Sequence, residues 1–364
     1  MIDFDATYVS PSSGPFCTRA KVPGKVIISG EHAVVYGAQA IACAIQKYAF
    51  AKVTHSDFLG VHLRVNAFGI DQKFTPAQLL AVAQKTQLAH QQYTLGLGSL
   101  SDVVAAPDAF FAAAIGASGL VDVLQSRGGL LIELSTNLVA GGGMGSSAAL
   151  VAAMLAAGFK HLGQPLSAAE LVLKTTQSEH WQHGRSSGLD PYVCVMGGLQ
   201  QYPQRDQHDK TLQNAAHIPQ ALTLPPCFLI SSGKPESSTG DCVEFVKQQN
   251  FPKSMWQKFN TVQVNLLTAL QENQQHNLRV AIKANHQLLC HIGVVPKQVS
   301  EFIATIEAHK GAAKICGAGS VAGDAAGLVL AVGLEQKMLA TLCKEQGYEM
   351  QAMQPDFVGV AYDN

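Results

Sequence analysis

Between Leu138 and Phe159 the chain carries no charged side chain, and near its start this stretch reads Gly141-Gly142-Gly143-Met144-Gly145-Ser146-Ser147-Ala148-Ala149. Glycines at that density cannot sustain a helix, so the helical part begins near Ser146 and runs to about His161, too short to cross a bilayer. What remains is a glycine loop between a strand and a small-residue helix. Such a loop lets backbone approach an anion, the helix start adds unpaired N–H groups with a favourable dipole, and the two hydroxyls reach a phosphate or its Mg²⁺. A nucleoside triphosphate fits all three features. The plainer alternative is a flexible turn ahead of a tightly packed Ala-rich helix. No Gly-Lys-Ser/Thr closes the loop, so it is not a Walker A element and a lysine elsewhere must supply the cation.

Two more segments carry chemistry. Lys21-Val-Pro-Gly-Lys25-Val-Ile-Ile-Ser-Gly30-Glu31-His32-Ala-Val-Val-Tyr36-Gly37 predicts a Pro-Gly turn, a short apolar strand and then a polar cluster. A solvated edge lysine and a surface turn would produce the same pattern. Glu179-His-Trp-Gln-His183-Gly184-Arg-Ser-Ser-Gly188-Leu-Asp190 predicts a helix end and the loop beyond it. Two carboxylates so placed can enter one cavity, one binding a hard cation and the other accepting a proton. A zinc site from Glu179, His180 and His183 lacks the His-Glu-x-x-His spacing, and a polar helix end capped by Gly184 is the bland reading.

The rest of the chain bounds these readings. At 364 residues it favours two domains. Charged residues make up only 14%, and Lys plus Arg (25) balance Asp plus Glu (26), which argues against disorder, a nucleic-acid partner or a membrane surface. The eight cysteines show no Cys-x-x-Cys spacing, and the acidic Met-Ile-Asp-Phe-Asp start lacks a signal peptide's basic and apolar regions, so a cytoplasmic protein with reduced thiols is expected.

After a polar leader, strands are expected near Val26–Ser29, Ala40–Ile45, Ala49–Thr54, His62–Phe68 and Leu130–Leu134. Helices are expected over Ala105–Leu124, interrupted by Gly116 and Gly119, and from the Ser167-Ala-Ala-Glu170 capping box to about His183. A polar stretch, Gln201–Gln220, marks the boundary between domains 1–205 and 206–364. Beyond it come a strand at Cys227–Ser231, a turn-rich loop at Gly233–Gly240 and helices near Pro252–Glu272, Asn277–Ile292 and Pro296–His309. Strands at Ala313–Cys316, Leu328–Val332 and Glu349–Met353, with a helix near Glu335–Glu345, complete an α+β pattern without regular βαβ alternation.

Together these segments resemble the GHMP kinase superfamily. Lys21–Gly37 looks like its first motif, Gly141–Ala149 like its phosphate loop, and Lys314-Ile-Cys-Gly317-Ala318-Gly319 like its third. Gly30-Glu-His-Ala-Val-Val-Tyr-Gly37 and the Glu179-to-Asp190 spacing are most similar to the mevalonate kinase version. Two departures are visible: Val139-Ala140 stands where the family has proline, and Ser320–Gly327 interrupts the run of glycines that normally follows the third motif.

The resemblance implies a two-domain α+β fold, a ribosomal-protein-like N-terminal domain joined to a ferredoxin-like C-terminal domain, with ATP and substrate in the cleft. It implies phosphorylation of the primary hydroxyl of mevalonate with ATP and Mg²⁺; the alternatives are a phosphomevalonate or other sugar or alcohol kinase and a non-catalytic ligand sensor. By the same resemblance, Gly141, Gly142, Gly143, Met144, Gly145, Ser146, Ser147 and Ala148 hold the nucleotide, and Ser146 or Ser147 with Glu179 holds Mg²⁺. Asp190 is the base, Lys25 its cationic partner, and Glu31, His32, Gly317, Ala318 and Gly319 line the substrate side. Neither nucleic acid nor a membrane is an expected partner, and a homodimer is compatible with the family.

Overall fold

The computed structural model describes residues 17–124, 128–139, 142–202, 216–217 and 224–363. The leader, Ala140, Gly141 and most of the expected boundary Gln201–Gln220 therefore lie outside the described residues.

Two sheets organise the chain. The first has strands β1 (Cys17–Ser29), β2 (Ala40–Ser56), β3 (Val61–Val65), β4 (Ile70–Phe74) and β5 (Gly129–Thr136). They lie in the order β1-β2-β5-β3-β4; β3 and β5 run parallel and the other neighbours antiparallel. Strands β6 (Leu199–Tyr202) and β7 (Ala216–His217) extend it beside the first half of β2. Helices α1 (Pro76–Thr94), α2 (Pro107–Ala117), α3 (Leu120–Leu124), α4 (Ser146–His161), α5 (Ala168–His183) and α6 (Leu189–Met196) complete this half.

The second sheet contains β8 (Cys227–Ser231), β9 (Ala312–Ile315), β10 (Leu328–Val332) and β11 (Glu349–Ala352), all antiparallel in the order β11-β8-β10-β9. Its helices are α7 (Thr239–Gln248), α8 (Lys253–Gln271), α9 (Gln275–His291), α10 (Lys297–Ala308) and α11 (Gln336–Glu345). The chain then returns to the first sheet, where β12 (Ala361–Asp363) pairs antiparallel with β1.

Burial follows residue periodicity. From Ala148 to Phe159 every α4 residue is buried. Its alanines let it lie close to β1 and β2, and Gly158 admits Leu120 of α3, whose side chain would lie 3.2 Å from a Cβ there. In β8, Cys227 and Leu229 join the core shared with the first sheet, while Phe228 and Ile230 face the core built with α7, α8, α10 and α11. Both faces are covered, which explains why the strand reads as an unbroken apolar run.

Several sequence expectations need correction. Pro23-Gly24 is not a turn but continuous β1 opposite a bulge in β2: Pro23 faces Tyr48 and Gly24 faces Ile45, so Gln46 and Lys47 of β2 are the extra residues. The two runs expected in β2 are accordingly one strand. Strand β3 ends at Val65, and a 3-10 turn at Asn66–Phe68 leads into β4. Of the two interruptions expected in the helix Ala105–Leu124, the one at Gly119, with φ +83°, separates α2 from α3, whereas Gly116 stays inside α2. A Cβ on Gly116 would lie 2.1 Å from the Leu79 carbonyl oxygen, so this glycine is where α2 meets α1. The loop expected at Gly233–Gly240 ends in α7, capped by Ser238 and Asp241.

Candidate active site

Lys25 lies on β1 with its side chain directed inward and only 2% of its surface exposed. Its Nζ pairs with Asp190 Oδ2 at 3.0 Å and donates to the Gly143 carbonyl at 3.0 Å. Burial opposes the ammonium charge, but the Asp190 carboxylate beside it outweighs that cost and holds the lysine pKa above its ordinary value. The Lys25 amide donates to Met144 O at 2.9 Å, fastening the glycine loop to the strand. Gly24 permits this approach, because a Cβ there would lie 2.3 Å from a Leu138 methyl and 2.8 Å from Met144 O.

The loop ends at Gly145, the N-cap of α4, with φ +66°. A Cβ at Gly145 would sit 3.1 Å from Lys25 Cε and 3.4 Å from Asp190 Oδ2, directly on the ion pair. No side chain caps α4, and intrahelical bonding starts with Ala149 N–H to Gly145 O. The amides of Ser146, Ser147 and Ala148 therefore stay available to an anion, and neither serine hydroxyl is engaged by protein among the described residues. Gly143, with φ +80°, brings this loop against the opposite half: a Cβ there would lie 2.6 Å from Cys316 O. Gly141 lies outside the described residues.

Asp190 is not in a loop, as the sequence suggested, but in the first turn of α6 behind the left-handed N-cap Gly188. The helix dipole favours a carboxylate there. Three bonds hold the turn that aims it. Tyr202 donates its hydroxyl to Ser187 O at 2.5 Å, His90 Nε2 donates to Gly184 O at 2.7 Å, and Ser186 N–H donates to His180 Nδ1 at 2.9 Å. His90 and Tyr202 escaped the sequence reading because His90 acts from α1, 94 residues from its partner. The Thr75-Pro-Ala-Gln78 capping box was the available signal for that helix.

Glu179 is 2% exposed near the end of α5, with His183 Nε2 at 3.5 Å from Oε2. Burial disfavours charge on His183, yet Glu179 and then Asp190 more than compensate, and its pKa is raised. The other oxygen, Oε1, is buried without a hydrogen-bond partner among the described residues. An orphaned carboxylate oxygen is a fitting ligand for a hard cation whose remaining ligands come from phosphates and water. The zinc alternative fares worse: among the described residues no three His, Cys, Asp or Glu side chains converge on a metal position.

The Gly30–Gly37 turn faces the third glycine loop. His32, held at φ +56°, donates Nε2–H to Ala318 O at 2.9 Å. Burial lowers its pKa despite that bond, so it acts as a neutral donor. Glu31, expected at the substrate, is instead taken up by protein: Oε1 pairs with Lys314 Nζ, and Oε2 accepts from Asn285 Nδ2 at 3.1 Å. Gly317 packs on the first loop, its Cβ position 3.0 Å from Gly143 Cα. The inserted Ser320–Gly327 segment folds against Ser232–Ser238, with Ser237 N–H donating to Ser320 Oγ and Val321 N–H to Ser237 Oγ, both at 3.2 Å.

Residues 109–198, which include the first loop, α4, Glu179 and Asp190, match the profile of the GHMP kinases N terminal domain. The chain is 28% identical to the mevalonate kinase of Pyrococcus abyssi over 344 residues, covering 92% of this chain and 94% of the relative. Its fold is similar to that of Methanococcus jannaschii mevalonate kinase, with a TM-score of 0.71 at 18% identity over 95% of this chain and 99% of the other. Streptococcus pneumoniae phosphomevalonate kinase is also similar, with a TM-score of 0.65 at 15% identity over 93% and 100% of the two chains.

Proposed function

We propose that this chain, a member of the GHMP kinase family, transfers the γ-phosphoryl group of ATP to the primary hydroxyl of mevalonate, giving 5-phosphomevalonate and ADP. The observation that carries the reading is the Lys25–Asp190 pair at 3.0 Å, in which the buried Lys25 also donates to the Gly143 carbonyl of the glycine loop. A phosphate bound over that loop and the start of α4 would lie beside a carboxylate able to take a proton and a cation able to stabilise the oxygen that loses it. The relatives favour mevalonate over other alcohols, whereas the fold itself is shared with a phosphomevalonate kinase.

The chain's tasks in phosphoryl transfer are alignment and charge neutralisation. The amides of Ser146, Ser147 and Ala148, with the backbone of Gly142, Gly143, Met144 and Gly145, cradle the phosphates. Asp190 accepts the hydroxyl proton as the alcohol oxygen bonds to the γ-phosphorus and the bond to the ADP oxygen breaks. Lys25, paired with Asp190, offsets the developing negative charge. Glu179, with Ser146 or Ser147, would hold Mg²⁺, which supplies neutralisation of the phosphate oxygens when bound. His32 and the Gly317-Ala318-Gly319 backbone border the substrate side. The absence of a long apolar helix among the described residues and the cytosolic pattern of free cysteines agree with a cytoplasmic enzyme.

The test is ADP release with mevalonate, galactose and homoserine, run on the parent and on Asp190→Asn. The parent should turn over mevalonate best, and the variant should lose roughly 10²–10⁴ in kcat while still binding ATP. Near-normal turnover by Asp190→Asn would remove the proposed base. ATP binding without turnover on any alcohol would favour a ligand sensor.

A further inference from the structure

Behind the site lies a polar cluster that the phosphoryl-transfer chemistry does not use. Ser29, Glu31, Asn285 and Lys314 are all at most 1% exposed, although they come from β1, the turn after it, α9 and β9. Lys314 Nζ pairs with Glu31 Oε1 and donates to Ile27 O at 3.1 Å. Asn285 donates to Glu31 Oε2 at 3.1 Å and accepts from Ser29 Oγ at 3.2 Å.

A buried ion pair is a poor stabiliser, since the desolvation of two charges offsets most of their attraction and apolar residues of similar volume would serve as well. Its location gives it another use. Lys314 grips β1 at Ile27, two residues beyond Lys25, and lies three residues before Gly317. Glu31 precedes His32, whose ring holds Ala318. The pair thus joins the strand bearing the catalytic lysine to the loop that closes the substrate side.

Resting on the kinase reading above, we infer that Lys314, Glu31 and Asn285 are positioning residues, which fix the spacing between Lys25 and the Gly317-Ala318-Gly319 loop without touching substrate. Glu31 therefore acts on alignment, not as a substrate ligand. Its loss should lower kcat and leave binding intact, because misplacement by a fraction of an ångström is felt in the transition state before it is felt in affinity.

The test is the charge-neutral double variant Glu31→Gln/Lys314→Met, with Asn285→Ser as a milder second variant in case the first does not fold. The double variant should lose at least about tenfold in kcat, and Asn285→Ser about threefold or more. For both, the KM for the alcohol and the Kd for ATP should stay within about threefold of the parent. A kcat within twofold of the parent in the folded variants would overturn the proposal, as would a tenfold rise in alcohol KM, which would make Glu31 a substrate ligand. Hydrogen exchange separates this outcome from failure of the kinase reading, because it needs no turnover. Exchange at residues 30–34 and 316–320 should quicken while α4 stays protected; if the parent phosphorylates no alcohol, that result still decides the positioning role, and unchanged exchange overturns it.

Discussion

The chemistry turns on which polar groups are spent on the fold and which are held in reserve. Lys25 and Asp190 satisfy each other, Glu31 is consumed by Lys314, and Glu179 keeps one buried oxygen without a partner among the described residues. A buried, unpaired carboxylate oxygen is costly by itself and useful as a ligand to a cation. Glu179→Gln should therefore shift the Mg²⁺ titration of ADP release to higher concentration, because an amide lacks the charge that a hard cation prefers; an unchanged titration would remove Glu179 from the metal site. Away from the site, burial pushes the His286 pKa down to about 4, with the nearby Lys314 adding to the effect. The folded state then binds fewer protons than the unfolded state between about pH 4 and 6.5, so stability rises with pH across that window and is lost as pH falls through it. The loss is on the order of 3 kcal/mol by pH 4. Urea denaturation at pH 7 and pH 4.5 should give a markedly smaller drop for His286→Gln than for the parent, and equal drops would contradict this account.

Elements with local signals were legible in the sequence, and elements defined by distant partners were not. The α4 start, the α5 capping box and helices α8 to α11 read correctly to within a few residues, because glycine, capping side chains and apolar period act locally. Helices α1 and α7 went unread although Thr75-Pro-Ala-Gln78 and Ser238-Thr-Gly-Asp241 cap them. Helix α6 was missed since its start is set by Gly188 at φ +80°, and a lone glycine before Leu-Asp-Pro reads equally well as a turn. The fused strand β2 hid behind the polar bulge at Gln46-Lys47, whose register only the pairing with β1 reveals. Gly116 shows the same limit: it reads as a helix break, but its role is to admit the Leu79 carbonyl of α1. Gly116→Val should cost about 1–3 kcal/mol through overpacking, measured by denaturant unfolding, and the loss should fall on α1–α2. A neutral substitution would mean that the two helices separate freely.

At the scale of the whole molecule, the site exists because the chain folds back on itself. Lys25, Gly143 and Asp190 come from the first half and Gly317 and Ala318 from the second, and the two loops meet at Gly143 and Cys316. The three motifs were visible in the sequence as separate signals. Their convergence was implied only by the family resemblance, and the diversion of Glu31 into the joint between the sheets was not visible at all. The fold does not choose the alcohol, since mevalonate and phosphomevalonate kinases share it. The argument for mevalonate is one of charge: a second phosphate needs further Lys or Arg donors, and of the four cations in the motif segments, Lys21, Lys25, Arg185 and Lys314, Lys25 is paired with Asp190 and Lys314 with Glu31. Competition between mevalonate and phosphomevalonate for one pool of enzyme, followed by the two products, tests this most directly. The account predicts that kcat/KM for mevalonate is higher by at least about a hundredfold, or roughly 2.7 kcal/mol of transition-state preference. Equal or reversed values would contradict the assignment of mevalonate.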